Sequence, residues 1–147
     1  MKTTEQVKAL QEKIAAGKAA RAVAVEMVAN ESAERRLENE ALLIDIERER
    51  GKTVGIDLGV VWLPTGHMIV VERPPLIDYE RFMSVWDGTK PEDKPRVRDE
   101  LLCSCLIHPK QLELELLSDI NGDCKTAACD VAVRMNDVEA KVYKGKS

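Results

Sequence analysis

Aromatic residues make up only 3% of the 147-residue chain: two Trp, two Tyr and one Phe. So few rings leave few stacking platforms, which disfavours a reader of single-stranded nucleic acid or of sugars. Basic charge is not in excess either, because 22 Lys and Arg face 26 Asp and Glu for a formal net charge of −4. That balance opposes attraction to phosphate backbones or anionic lipid. The only histidines are His67 and His108, and neither stands in a nucleophile motif, so a Cys–His enzyme is not expected. The most apolar stretch, Val54 to Val71, contains Asp57 and is cut by Pro64-Thr65-Gly66. It reads as two short strands around a turn, not as a membrane span. Met1-Lys2-Thr3-Thr4-Glu5-Gln6 has no apolar core of a secretory signal. A soluble, intracellular protein is therefore expected, with Cys103, Cys105, Cys124 and Cys129 as reduced thiols and Asn30-Glu31-Ser32 unglycosylated.

What is present is an ordinary single-domain length with 44% hydrophobic and 33% charged residues. This supports a real core beneath long solvated faces and argues against disorder. Residues 1–50 hold no proline and one glycine, and are dominated by residues that lose least on entering a helix. Thr3 or Thr4 can cap its start, and Gly51 sits where a terminal glycine ends a helix. Val7, Leu10 and Ile14 have a heptad spacing that then meets Gly17, Arg21 and Glu31, so a long unbroken coiled coil is not expected, while Leu37, Ala41 and Ile44 form a second stripe. The pattern predicts two amphipathic helices or one bent helix. The β-branched run to Leu63, the turn at Pro64-Thr65-Gly66 and the apolar His67 to Glu72 predict a β-hairpin.

Leu76, Tyr79, Phe82, Met83 and Trp86 recur at helical spacing. After a polar loop over Asp87 to Pro95, helices are expected over Val97 to Ile107, Leu112 to Ile120 and Cys124 to Met135. The fold class is thus α+β and mainly helical: an N-terminal charged helix or helix pair, one β-hairpin, then a small helical bundle. The segments are residues 1–51, 52–136 and a flexible tail over 137–147.

Several strings imitate chemical motifs. Val54-Gly55-Ile56-Asp57-Leu58-Gly59 resembles the strand carboxylate of nucleases or actin-like ATPases, yet metal-dependent chemistry needs further carboxylates on later strands. Asp57 is therefore expected in a strand or bulge. Gly51-Lys52-Thr53 and Gly145-Lys146-Ser147 lack the remainder of a phosphate-binding loop. Cys103 and Cys105 lie two residues apart, about 200° around a helix, so they suit core packing better than zinc chelation. No catalytic residue, metal or cofactor is expected. The aromatic stripe Leu76, Tyr79, Phe82, Met83 and Trp86 is the candidate partner-binding surface, although core packing is the commoner reason for such spacing.

Val70-Val71-Glu72-Arg73-Pro74, Tyr79-Glu80-Arg81-Phe82, Leu101-Leu102 running to Cys105-Leu106-Ile107-His108-Pro109, and Leu114-Glu115-Leu116-Leu117 follow one another. Over residues 68–135 this order resembles the small tail-assembly chaperones of tailed bacteriophages. The resemblance implies a non-enzymatic protein of the infected host's cytoplasm that binds the tail tape-measure protein before the tube polymerises. Composition and charge lead independently to the expectation of no nucleic-acid or membrane partner. The competing expectation is a structural component of the virion, a head–tail connector or minor head or tail protein, with a homo-oligomer formed through the N-terminal helix.

Overall fold

Met68, Ile69, Val70 and Val71 are all buried, and a strand with both faces apolar needs a cover on each side. The structure, a computed structural model, supplies both. It describes residues 1–144, with the side chains of all of these except 120, 121 and 137–144. The element order is α1 (Thr4–Arg50), β1 (Leu58–Trp62), β2 (Met68–Glu72), α2 (Leu76–Trp86), α3 (Lys94–Cys105), β3 (Leu106–His108), α4 (Gln111–Asn121) and α5 (Cys124–Lys144). The three strands form an antiparallel sheet in the order β1-β2-β3. The fold is α+β and mainly helical, with 69% of residues in helices.

The first fifty residues form one uninterrupted helix of 47 residues, roughly 70 Å long at 1.5 Å per residue. Gly17 and Asn30 lie within it, their modest helix cost outweighed by the alanine, glutamate and lysine around them. Thr3 is the cap: its Oγ1 accepts from the Gln6 N–H at 3.3 Å, and its own N–H donates to Gln6 Oε1 at 2.9 Å. At the other end Gly51 adopts φ +62° and closes the helix on the Glu47 carbonyl.

Alternation along the sheet sorts its side chains between two layers. Leu58, Met68 and Val70 pack with Ile46 of α1, with Leu42, Leu43, Val60, Trp62 and Ile107 around them. Ile69 and Val71 point the other way, into a larger core with Phe82, Leu101, Leu102, Cys105, Leu114 and Ala128. Gly59 is required on this second face, because a Cβ there would overlap Val131 of α5. The sheet is therefore sandwiched, with α1 outside one face and the helices that follow it over the other. The 51/52 boundary expected between an N-terminal segment and a hairpin module crosses the cluster that Ile46 shares with the sheet.

Two boundaries differ from the sequence expectation. The helix expected over Val97 to Ile107 starts at Lys94, with Pro95 tolerated in its first turn, and stops at Cys105. Leu106–His108 is instead a third strand beside β2, with Val70 opposite His108. His108 precedes Pro109, which disfavours helical backbone, and β2 offers a free row of hydrogen-bonding groups that would otherwise be buried unpaired. The last helix continues past Met135 to Lys144, through most of the expected tail. Residues 145–147, with the second Gly-Lys-Ser string, lie outside the described residues.

Candidate functional site

The five residues of the aromatic stripe have different fates. Phe82 is 7% exposed and belongs to the main core. Its ring stacks on Trp86 with centroids 4.8 Å apart, and Trp86 is half-buried. Tyr79 is also half-buried, while Leu76 at 64% and Met83 at 46% are exposed. Phe82, Met83 and Trp86 line one cleft of about 400 Å³ between α2, α3 and α5. Leu76 and Tyr79 lie outside it.

The cleft has an apolar floor and a charged rim. Cys129 and Val133 of α5 complete the floor, and Lys94, Arg98, Asp123 and Asp130 stand around it. Lys94 Nζ sits 4.7 Å from the Trp86 ring centroid, a cation–π contact. Arg98 is held by Asp99 at 3.2 Å and Asp123 at 3.1 Å, and donates to Thr126 Oγ1 at 3.2 Å. Asp123 is held below the usual carboxylate range, first by the Thr126 hydroxyl and then, against the opposing effect of burial, by the Thr126 N–H, Arg98 and Lys125. Buried Lys125 bonds Glu115 and reaches Asp99 at 3.5 Å. Burial pushes its pKa down, but these two carboxylates more than offset that and raise it. The rim thus carries the Arg98–Asp123 ion pair and Lys94 seated over Trp86 around an apolar trough, suited to holding an apolar side chain that arrives on a charged segment.

The remaining motif residues have local structural roles. Asp57 accepts from the Thr53 N–H at 3.4 Å and its carbonyl accepts from the Arg73 N–H at 3.2 Å, closing the turn before β1. Lys52 of the first Gly-Lys-Thr bonds Glu72 at 2.7 Å. Cys103 is exposed, whereas Cys105, Cys124 and Cys129 are buried, and all four are free. Burial pushes the Cys105 thiol up to about 12 and the Cys129 thiol to about 11. Among the described residues no group of three His, Cys, Asp or Glu side chains could hold a metal ion, and no helix is long and apolar enough to cross a membrane.

Sequence reasoning missed a second cleft, of about 390 Å³, which brings both histidines together with Arg35, Asn39, Glu113 and Leu116. His67 precedes β2 and His108 ends β3, and antiparallel pairing brings them to the same end of the sheet, so the signal that could have joined them is the third strand. Burial lowers the pKa of each; Arg35 lowers His67 further, and Glu113 opposes the shift at His108. Compared with protein-family models, with curated proteins and with solved structures, the chain matches none.

Proposed function

We propose that the protein is a chaperone-like binding protein that covers an apolar helical segment of a larger subunit during assembly. The resemblance of residues 68–135 to bacteriophage tail-assembly chaperones points to the tail tape-measure protein as that subunit. The observation that carries the reading is the cleft floored by stacked Phe82 and Trp86, with exposed Met83 at its lip and ion pairs at its rim. Large aromatics and methionine in an open trough are the residues that dominate interface energy and adapt to varied apolar partners. A net negative charge keeps such a complex dispersed. On this reading the protein catalyses nothing and works in the host cytoplasm.

Co-expression with the tape-measure protein tests it. The proposal expects more of that protein in the soluble fraction, and less of the gain with Met83→Glu, an exposed substitution that leaves the core intact. Trp86→Ala should act in the same direction, with circular dichroism as a control, because removing a packed Trp typically costs about 3–5 kcal/mol of stability. No gain with the parent would move the reading to a virion component. That second reading is favoured by one observation of its own, the exposed length of α1. Finding the protein in purified particles would support it.

A further inference from the structure

The exposed side of α1 carries a seam unused by the hairpin. Ala16, Ala20, Val23, Met27, Asn30, Glu34, Leu37, Ala41 and Ile44 follow one another at alternating steps of four and three residues, and all are exposed. Val23, Met27, Leu37 and Ile44 are 57%, 58%, 67% and 56% exposed. Three positions fix where this seam points. Ser32 and Asn39 are half-buried and Ile46 is buried, with Asn39 donating to the Gly66 carbonyl at 3.0 Å. Asn30, Leu37 and Ile44 each precede one of these by two residues, about 200° around the helix. The seam therefore runs along the side of α1 away from the sheet, where the globular part of the same chain does not obstruct it.

We infer that this seam is the interface of an antiparallel coiled-coil dimer of the chain, with the two-fold axis beside Asn30. Charge selects the occupant and its direction. Residues 1–30 carry five basic and three acidic side chains, whereas residues 31–50 carry seven acidic and four basic. Antiparallel pairing lays the basic half of one copy on the acidic half of the other. Parallel pairing would set Glu34 on Glu34 in the seam and bring Glu26 beside Glu31 and Glu40 beside Asp45 across its flanks.

Side-chain size points the same way. Ala16 lies in the first half of the seam and Ile44 in the second, so antiparallel pairing sets this small residue against a large one, while Ala20 meets Ala41. The two polar seam residues then choose the register, because a buried Asn is satisfied by its own copy. With Asn30 on the axis, Val23 of one copy faces Leu37 of the other, Ala16 faces Ile44, and Glu34 meets Met27. Moving the axis one seam position toward the C-terminus stacks Glu34 on itself. Moving it one step toward the N-terminus places the Asn30 amide against Val23 without a partner.

The inference does not depend on the identity of any other partner, and it is tested on the full chain. Sedimentation equilibrium should give twice the 16.4 kDa chain mass, falling to the single-chain mass for Val23→Glu combined with Leu37→Glu, with helical content checked by circular dichroism. Disulfide trapping in a Cys103→Ser background reads the direction. Asn30→Cys should cross-link to itself, Val23→Cys mixed with Leu37→Cys should give the mixed dimer, and Val23→Cys alone should give none. A monomeric parent, a dimer that survives the double Glu substitution, or self-cross-linking of Val23→Cys would each overturn the inference.

Discussion

The guanidinium carbon of Arg36 lies 3.8 Å from the ring centroid of Trp62, joining the C-terminal third of α1 to the last residue of β1. Around it Arg35 donates to the Thr65 carbonyl at 2.6 Å and Asn39 to the Gly66 carbonyl at 3.0 Å. The hairpin turn is therefore fastened to α1 by its backbone carbonyls, and the apolar cluster around Ile46 lies further along the same face. A charged helix surface and a turn, each reading as solvent-facing, become an interface because each satisfies the other's polar groups.

Gly66 should be the least replaceable residue of that turn. It has φ +83°, and a Cβ there would overlap the Ser32 carbonyl of α1. Gly55 has a similar φ of +89° with open space around it. Gly55→Ala is expected to cost about 1 kcal/mol through backbone strain alone, and Gly66→Ala clearly more, within about 1–3 kcal/mol. Urea denaturation of the two variants checks this, and equal losses would show that α1 yields freely at the turn.

The middle and the C-terminal end of α1 should respond differently to truncation of a side chain. Ile46 is 9% exposed and Val25 is 69% exposed. Ile46→Ala is expected to cost about 2–5 kcal/mol in chemical denaturation. Val25→Ala should fall within about 0.5 kcal/mol of the parent. A large loss at Val25 would place that side chain in an interface.

Stability should fall as pH drops just below neutrality. His67 and His108 both have folded-state pKa values below the ordinary 6.5, so in that range the unfolded chain binds more protons and stability rises with pH. Their contribution is complete above about 6.5 and is lost as pH falls toward the folded-state values. Asp123, lowered from 3.8, acts in a separate window: its contribution is present above 3.8 and disappears as pH falls through its depressed pKa. Thermal melts between pH 7.5 and 5 should show a decline that His67→Gln with His108→Gln flattens. An unchanged slope in that double variant would assign the decline elsewhere.

Thiol reactivity should divide the cysteines one against three. Cys103 is exposed and the other three are buried, with Cys105 and Cys129 held as thiols at about 12 and about 11. A thiol reagent should label one cysteine rapidly in the native protein and four after denaturation. Rapid labelling of Cys129 would show that the cleft between α2, α3 and α5 opens readily.

Much of the fold was legible because it is local. The Leu76 to Trp86 helix follows from apolar spacing after Pro74-Pro75, and the hairpin from the run of β-branched residues broken at Pro64-Thr65-Gly66. The fate of Ile107 was not legible. Leu101 to Ile107 is a run, apolar but for Ser104, that helix and strand accommodate equally, and the choice was made by a strand more than thirty residues earlier in the chain. The candidate site was half legible for a similar reason. Periodicity placed Phe82, Met83 and Trp86 on one helix, but the cleft exists through Val133, Arg98 and Asp123, whose approach is tertiary. Leu76 shares the spacing and not the cleft, because α2 begins there at the edge of the fold.

The position of β2 between two covers also orders events as the chain leaves the ribosome. Except for Ile107, every member of the cluster under α1 lies between Leu42 and Val70, so that layer closes once about the first half of the chain has emerged. The opposite face, with Ile69 and Val71, is covered by residues that begin at Phe82 and extend to Ala132. Until these arrive, a two-stranded sheet presents one apolar face and the bare edge that β3 will occupy. This is the surface on which a nascent chain is open to wrong pairing. The long N-terminal helix thus covers one of the two apolar faces early in synthesis, and the second half of the chain is what ends the exposure of the other.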